Sequence, residues 1–442
     1  MNVRSHKVHK KDFFGQAIHS ILTKGGLLFL GLISSVIMTR VLKPEGRGVI
    51  EMFMVYPFIV LAFGELGVRQ ATAFFIGQKT YEKNDITSSV MALFLISAPI
   101  VIGIIFLGYL HSNLFRYGLF IPLCFGLMTL AALFQRYGNG IFLGEKEVQK
   151  INYVQVINKI AQVLGVVIFV WVGGGGVRGA AMAYLLAQLL PIIIVLYWLI
   201  PTCDLKPRWV SPIPQALIKK GLIYCGSLLV IMLNYRIDII MLGHMRTAQS
   251  VGLYAVGVNI CELLKQIPLS IGVVLFSHAT TWKADAVDVS LKKIAMATRV
   301  LLFLSVIGAI ILVFVAGWLI PLLYGIGFLG SVQVIYFLVP GIIILNAFVA
   351  LNLFMSGQGK PEIVIYSFIP ALLLNIILNV FLIKRYDYIG AAVASTLSYS
   401  LGLAIYLGIL KAYYKVRIMD FIVFKRADLS FIYSKLKFPK RG

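Results

Sequence analysis

The chain has 442 residues with 40 Lys and Arg against 17 Asp and Glu, a net charge of +23, yet only 13% of it is charged and 60% is hydrophobic. Its mean hydropathy of +0.92 excludes the disordered, secreted disulfide-rich and ordinary water-soluble classes, since a soluble domain is about 25% charged and about 45–50% apolar. Apolar stretches of about 20 residues recur from end to end, and no polar region is long enough to form a separate basic domain for nucleic acid.

The pattern predicts an all-α polytopic membrane protein with about 12 transmembrane helices. The expected spans are 15–42, 49–77, 87–110, 117–143, 151–172, 177–200, 220–243, 250–280, 294–323, 331–356, 362–383 and 389–411. Barrel strands are excluded because the apolar runs are continuous and lack period-2 alternation. A basic stretch, 1–14, comes first. Span 1 carries Lys24, is too long for a signal-peptide core, and ends in the polar run Lys43-Pro44-Glu45-Gly46-Arg47-Gly48.

Span 2 holds Glu65 and Arg69 at i,i+4, the favourable order for an ion pair on one helix. Spans 4 and 5 carry Gln135, Arg136 and Asn139, then Asn152, Gln155, Asn158, Lys159 and Gln162, at a period close to 3.6. Such a stripe is either interhelical glue or a wetted wall, and Lys159 points to the wall. The longest loop, 201–219, contains Pro207, Pro212 and Pro214 and lies at mid-chain. In span 7, Arg236 and Asp238 differ by two and face different sides. Asp238 is expected to pair with a neighbouring arginine or to bind a coupling ion. Span 8 sets Asn259, Glu262 and Gln266 along one stripe, with Lys265 adjacent and Pro268 ready to bend the helix. Arg40, Glu51 and Arg299 lie near span ends and read as interfacial. The tail, 412–442, mixes basic and aromatic residues and reads as a segment on the inner membrane surface.

About 25 Lys and Arg fall on the side of Met1 and about 7 on the other, which puts both termini in the cytoplasm. Three short echoes recur at about half the chain length: Gly179-Ala180-Ala181 against Gly390-Ala391-Ala392, Gly144-Glu145-Lys146 against Gly359-Lys360-Pro361, and Gly48-Val49 against Gly252-Leu253. They imply two six-helix lobes related by a parallel repeat, an N-lobe at 15–200 and a C-lobe at 220–411, with 201–219 as cytoplasmic connector and hinge.

Ionisable groups at a helix centre cost roughly 2.5–3.5 kcal/mol each on the insertion scale, so these residues must face water or one another. Lys24, Arg69, Arg136, Lys159, Arg236 and Lys265 outnumber Glu65, Asp238 and Glu262, so a shared cavity is net positive and suits an anion. Guanidinium and ammonium groups match phosphate oxygens, and phosphate within a bilayer suggests the head of a lipid carrier. Asn152, Gln155, Gln162, Asn259 and Gln266 complete the expected polar wall. Nothing points to an enzyme: the histidines, such as His111, His244 and His278, are scattered, Cys124, Cys203, Cys225 and Cys261 lack C-x-x-C spacing, and no metal site is suggested. With no nucleotide-binding loop, transport has to draw on a proton or sodium gradient or the membrane potential, and the three carboxylates are the candidate coupling sites or charge partners.

The run Thr39 to Gly48, the sequence Arg236-Ile237-Asp238-Ile239-Ile240-Met241-Leu242-Gly243 followed by Val251-Gly252-Leu253-Tyr254, and the loop Gly357-Gln358-Gly359-Lys360-Pro361 together resemble the polysaccharide, or O-antigen, flippases of the multidrug/oligosaccharidyl-lipid/polysaccharide exporter superfamily. The resemblance implies two lobes around a central cavity, and alternating-access translocation of undecaprenyl-pyrophosphate-linked oligosaccharide across the bacterial inner membrane. It implies partners among membrane lipids and the glycan polymerase and chain-length machinery. Peptidoglycan-precursor flippases resemble it too, but typically carry two further helices. The alternatives are a gradient-driven small-molecule or drug antiporter of the same superfamily, disfavoured by a positive cavity, and a membrane-embedded glycan polymerase, disfavoured by the short outer loops.

Overall fold

The computed structural model describes residues 5–266, 287–357, 362–425 and 428, with side chains described throughout these except at 5–24, 223, 224, 227, 287–293, 350, 353, 354, 356 and 357. Every regular element among the described residues is helical. In chain order they are α1 (Ser5–Glu65), α2 (Val68–Gln78), α3 (Lys83–His111), α4 (Phe120–Gly144), α5 (Val148–Gly165) running into a π-helical turn (Val166–Val172), α6 (Gly176–Leu199), α7 (Ile213–Met245), α8 (Ala248–Leu263), α9 (Val287–Tyr324), α10 (Gly330–Gly357), α11 (Ile363–Tyr414) and a short α12 (Met419–Ile422).

Two of these elements each run across the boundary between two expected spans. In α1 the polar run after span 1 is no loop: helical geometry breaks at Lys43 alone (φ 56°, ψ 178°) and resumes at once. Pro44 suits that restart, because the first turn of a helix needs no amide hydrogen there. In α11 the break is at Asp387 (φ 53°, ψ −135°). Conversely, the span expected at 49–77 is interrupted, with Leu66 and Gly67 both at positive φ between α1 and α2. A Cβ on Gly67 would stand 2.2 Å from the Gly221 carbonyl oxygen, so this break is built on close backbone approach that only glycine permits. Span 8 is described as far as Gln266; Pro268, His278, the loop 358–361 and most of the tail lie outside the described residues.

The chain divides into two compact units, 1–225 and 226–442. The division falls inside α7. The 201–219 segment is tied to the start of α3: Asp204 N donates to Asn84 Oδ1 at 3.1 Å, Ser88 Oγ donates to Asp204 O at 3.3 Å, and Arg208 N donates to Ser88 O at 3.2 Å. Each unit has its own aromatic core, Phe53 stacked on Phe125 at 5.6 Å in the first and Phe348 against Phe368 at 4.0 Å in the second. The Gly-Ala-Ala echo has a structural counterpart. A Cβ on Gly179 would meet the Phe169 carbonyl oxygen at 2.2 Å, and one on Gly390 the Leu382 carbonyl oxygen at 2.2 Å. In both units a glycine lets a helix close onto the end of the preceding one, as small residues do where membrane helices pack without a hydrophobic driving force.

Candidate functional site

In the first unit the break at Leu66 and Gly67 leaves Glu65 at the end of α1 and Arg69 in the first turn of α2. The Glu65 carboxylate, 5% exposed, accepts from Arg69 Nε at 3.0 Å and from Arg136 Nη1 of α4 at 2.6 Å. Tyr137, next to Arg136, donates its hydroxyl to the Gly64 carbonyl at 2.8 Å and so fixes α4 against the end of α1. The expected Glu65–Arg69 pair is therefore a triad with a net charge of +1. Arg136, 30% exposed, is held by Glu65 and still lines a cavity.

That cavity, of about 450 Å³, lies between α1, α4, α5 and α6. The amide stripe of spans 4 and 5 forms its polar wall: Gln135, Arg136, Asn139, Gln155, Asn158, Lys159 and Gln162 all line it, while Asn152 does not. Helix α6 adds Gln188 and Tyr184, which the sequence reading did not single out. Gln135 Nε2 donates to Gln188 Oε1 at 3.1 Å, and Lys159 Nζ donates to Gln162 Oε1 at 2.9 Å. The remaining wall is apolar, with Leu27, Met54, Phe58, Leu61 and Met128 among its members. A polar, cation-bearing hollow enclosed by helices that are otherwise apolar is costly in a bilayer unless it meets water or a ligand.

The second unit repeats the charge motif with other residues. Glu262 of α8 lies 2.9 Å from Lys265 Nζ and 3.6 Å from Arg236 Nη2 of α7. Lys265 also stands over the Tyr235 ring, 4.2 Å from its centroid, a cation–π contact that strengthens where water is scarce. Asn259 and Gln266 are half-buried on the same stretch.

Asp238 differs from both. It is buried and held by neutral donors: Tyr254 Oη donates to Oδ2 at 2.7 Å, Ser395 Oγ donates to the same oxygen, and Asn379 Nδ2 donates to Oδ1 at 2.8 Å. Among the described residues no Lys or Arg nitrogen is within 4.0 Å of it, so the expected arginine partner is replaced by neutral donors. Asn375 Oδ1 accepts from Asn379 at 2.8 Å, and Asn379 Oδ1 is buried with no donor. Asn375 and Asn379 are spaced i,i+4 in an apolar helix, so the same periodicity argument that found the stripe on spans 4 and 5 would have found them.

Two of the remaining ion pairs involve residues expected at the interface, Glu51 and Arg299. Arg47 and Glu51 pair in the buried second half of α1. Arg299, expected at the interface, makes a two-pronged pair with Asp428 of the tail, Nε to Oδ2 and Nη2 to Oδ1, both at 2.7 Å. The side chain of Lys24 lies outside the described residues. Arg69 and Arg136 belong to one unit and Arg236 and Lys265 to the other. Among the described residues no cluster of His, Cys, Asp and Glu could hold a metal ion.

A family described as polysaccharide biosynthesis protein matches residues 16–276. The probable low-salt glycan biosynthesis flippase Agl15 of Haloferax volcanii is 22% identical over 408 residues, 89% of this chain and 81% of that one. Among solved structures, the inward closed conformation of the lipid II flippase MurJ aligns with a TM-score of 0.75 at 16% identity, covering 96% of this chain and 94% of that one. An inward-facing multidrug resistance MATE family transporter of the MOP superfamily aligns with a TM-score of 0.73 at 18% identity, over 88% of this chain and 96% of the other. These likenesses establish the fold, that of an all-helical polytopic membrane protein.

Proposed function

The chain belongs to the polysaccharide biosynthesis protein family, and from that premise we propose that it is a flippase which moves undecaprenyl-pyrophosphate-linked oligosaccharide repeat units, of the O-antigen kind, across the bacterial inner membrane. The observation that carries this reading is the amide-lined cavity with Lys159 and Arg136 in its wall, placed among helices long and apolar enough to cross a membrane. Amides recognise hydroxyls by both donating and accepting, and cations favour an anionic head group. The similarity to the Haloferax volcanii protein, a probable low-salt glycan biosynthesis flippase, supports the same class.

In this reading Arg69 in one unit, and Arg236 and Lys265 in the other, offer charge-assisted bonds to phosphate oxygens, together with Lys24. Glu65 and Glu262 hold those cations in place, and each leaves its cluster a surplus positive charge. The N-unit wall, with Arg136 and Lys159, meets the glycan. Asp238 is the coupling group, taking up a proton or sodium ion, because among the described residues its carboxylate meets neutral donors and no permanent counter-charge. Transport proceeds by alternating access with both termini cytoplasmic, and delivers its cargo to the polymerase and chain-length machinery.

A deletion strain tests the class. Loss of a flippase leaves completed lipid-linked repeat units on the cytoplasmic face. A polymerase defect would leave them on the outer face, and an antiporter defect would change drug tolerance alone; either result overturns the proposal.

A further inference from the structure

Lys159 stands apart from the other central cations whose side chains are described. Arg69, Arg136, Arg236 and Lys265 are each paired with Glu65 or Glu262. Lys159 Nζ donates to the neutral Gln162 amide at 2.9 Å, and among the described residues no carboxylate oxygen lies within 4.0 Å of it. An ammonium has three hydrogens to donate, so two remain for something in the cavity. On α1, Gly31 leaves room beside it: a Cβ there would still be 3.9 Å from Nζ.

What that something is follows from the rest of the wall. A phosphate diester only accepts hydrogen bonds, so a wall built for phosphate presents donors. This wall instead presents the amides of Gln135, Asn139, Gln155 and Asn158 and the hydroxyl of Tyr184, half of whose capacity is to accept. A phosphate leaves that accepting half unused, whereas sugar hydroxyls, which both donate and accept, match it. The volume, about 450 Å³, is that of a small-ligand site, typically about 300–1,000 Å³. Arg136, the guanidinium of this wall, is already paired with Glu65, so among the described residues Lys159 leaves the wall one unmatched positive charge, which suits a single negative charge better than the multiple charges of a pyrophosphate.

Building on the flippase reading, we infer that this cavity receives the sugars of the cargo and that Lys159 makes it selective for a repeat unit containing an acidic sugar, its ammonium meeting the sugar carboxylate. The anion has two conceivable sources, the sugar carboxylate and the carrier pyrophosphate, and the probes below separate them.

The purified full chain is titrated with three probes: a disaccharide containing glucuronic acid, its neutral glucose counterpart, and inorganic pyrophosphate. The wild-type protein should prefer the acidic disaccharide over the neutral one, and Lys159→Gln should collapse that preference, with the ratio of the two affinities falling roughly tenfold or more. Lys159→Arg should restore most of it. Asn139→Leu should weaken both disaccharides and spare their ratio. Equal binding of the two disaccharides by the wild-type protein would overturn the inference, as would a Lys159→Gln loss confined to pyrophosphate. In proteoliposomes, the same ratio is read from translocation of polyprenyl-pyrophosphate-linked glycans with and without the uronate. Failure of the wild-type protein to move either glycan would remove the flippase reading, while the titration would still decide the role of Lys159.

Discussion

Glu65 and Asp238 are both carboxylates buried in membrane helices, and the two units hold them in opposite ways. Glu65 is clamped between two guanidinium groups, at 3.0 and 2.6 Å. Asp238 is held, among the described residues, by neutral groups that include a tyrosine, a serine and an asparagine. A carboxylate with both oxygens committed to guanidinium groups acts as a fixed strut. One held by neutral donors has no fixed counter-charge, and this difference is what motivates the proposal that Asp238 exchanges a proton or a small cation. Composition alone puts the two in one class; their surroundings divide them.

Asp428 supplies the sharpest contrast within the second unit itself. Its carboxylate is fully buried and doubly bonded to Arg299, while Phe424 of the same segment stacks on Phe303 at 4.5 Å. Asp428→Ala strands the guanidinium and should cost about 3–5 kcal/mol, the range for breaking a buried pair from one side, seen as the largest drop in melting temperature of the purified protein. The hydrogen bonds from Arg299 hold the Asp428 carboxyl below its ordinary value of 3.8. A depressed carboxylate pKa gives stability that is complete above the unfolded value and fades as pH falls through the folded one. The contribution of this clamp should therefore be constant from neutral pH down to about 4 and be lost below it; a melting temperature difference between wild type and Asp428→Asn that vanishes already at pH 6 would contradict this.

Glu65→Gln should cost less, about 1–3 kcal/mol, because Arg69 and Arg136 are 39% and 30% exposed and water screens the charges left behind. Gly67→Ala tests the backbone that separates Glu65 from Arg69. At φ 67° a Cβ is disfavoured by roughly 1–2 kcal/mol, and the contact with Gly221 adds to that, so a variant as stable as wild type would mean the break is not held there. Asp238→Asn should have the smallest effect on stability, within about 1 kcal/mol, since an amide can keep most of the neutral hydrogen bonds. A loss as large as that of Asp428→Ala would erase the distinction drawn between the two kinds of carboxylate.

The sequence made one of these sites visible and hid the others for definite reasons. The wall of the first unit's cavity was legible because its amides lie on two consecutive helices at a regular period, which is a local property; seven of the eight stripe residues Gln135, Arg136, Asn139, Asn152, Gln155, Asn158, Lys159 and Gln162 line the cavity. Glu65 and Arg69 were legible for the same reason, but Arg136, 71 residues further on, had to be found in space. The surroundings of Asp238 come from residues 16, 141 and 157 positions away, and a serine or asparagine in an apolar helix carries no sign of its partner. Nor could Arg299 be told from an interfacial arginine when its partner, Asp428, lies 129 residues on in a tail that reads as surface. The polar run after span 1 misled for a different reason: a single residue at positive φ, followed by proline, turns the chain without any loop.

The most direct test imposes proton, sodium and electrical gradients one at a time on proteoliposomes containing the wild-type protein, Asp238→Asn or Glu65→Gln, and follows the appearance of a polyprenyl-pyrophosphate-linked glycan on the far leaflet. Wild type should respond to one ion gradient, Asp238→Asn should be indifferent to it, and Glu65→Gln should keep the response at whatever level its stability allows. A wild-type rate that no gradient changes, or an Asp238→Asn variant that follows the gradient as wild type does, would contradict the assignment of Asp238 as the exchangeable carboxylate.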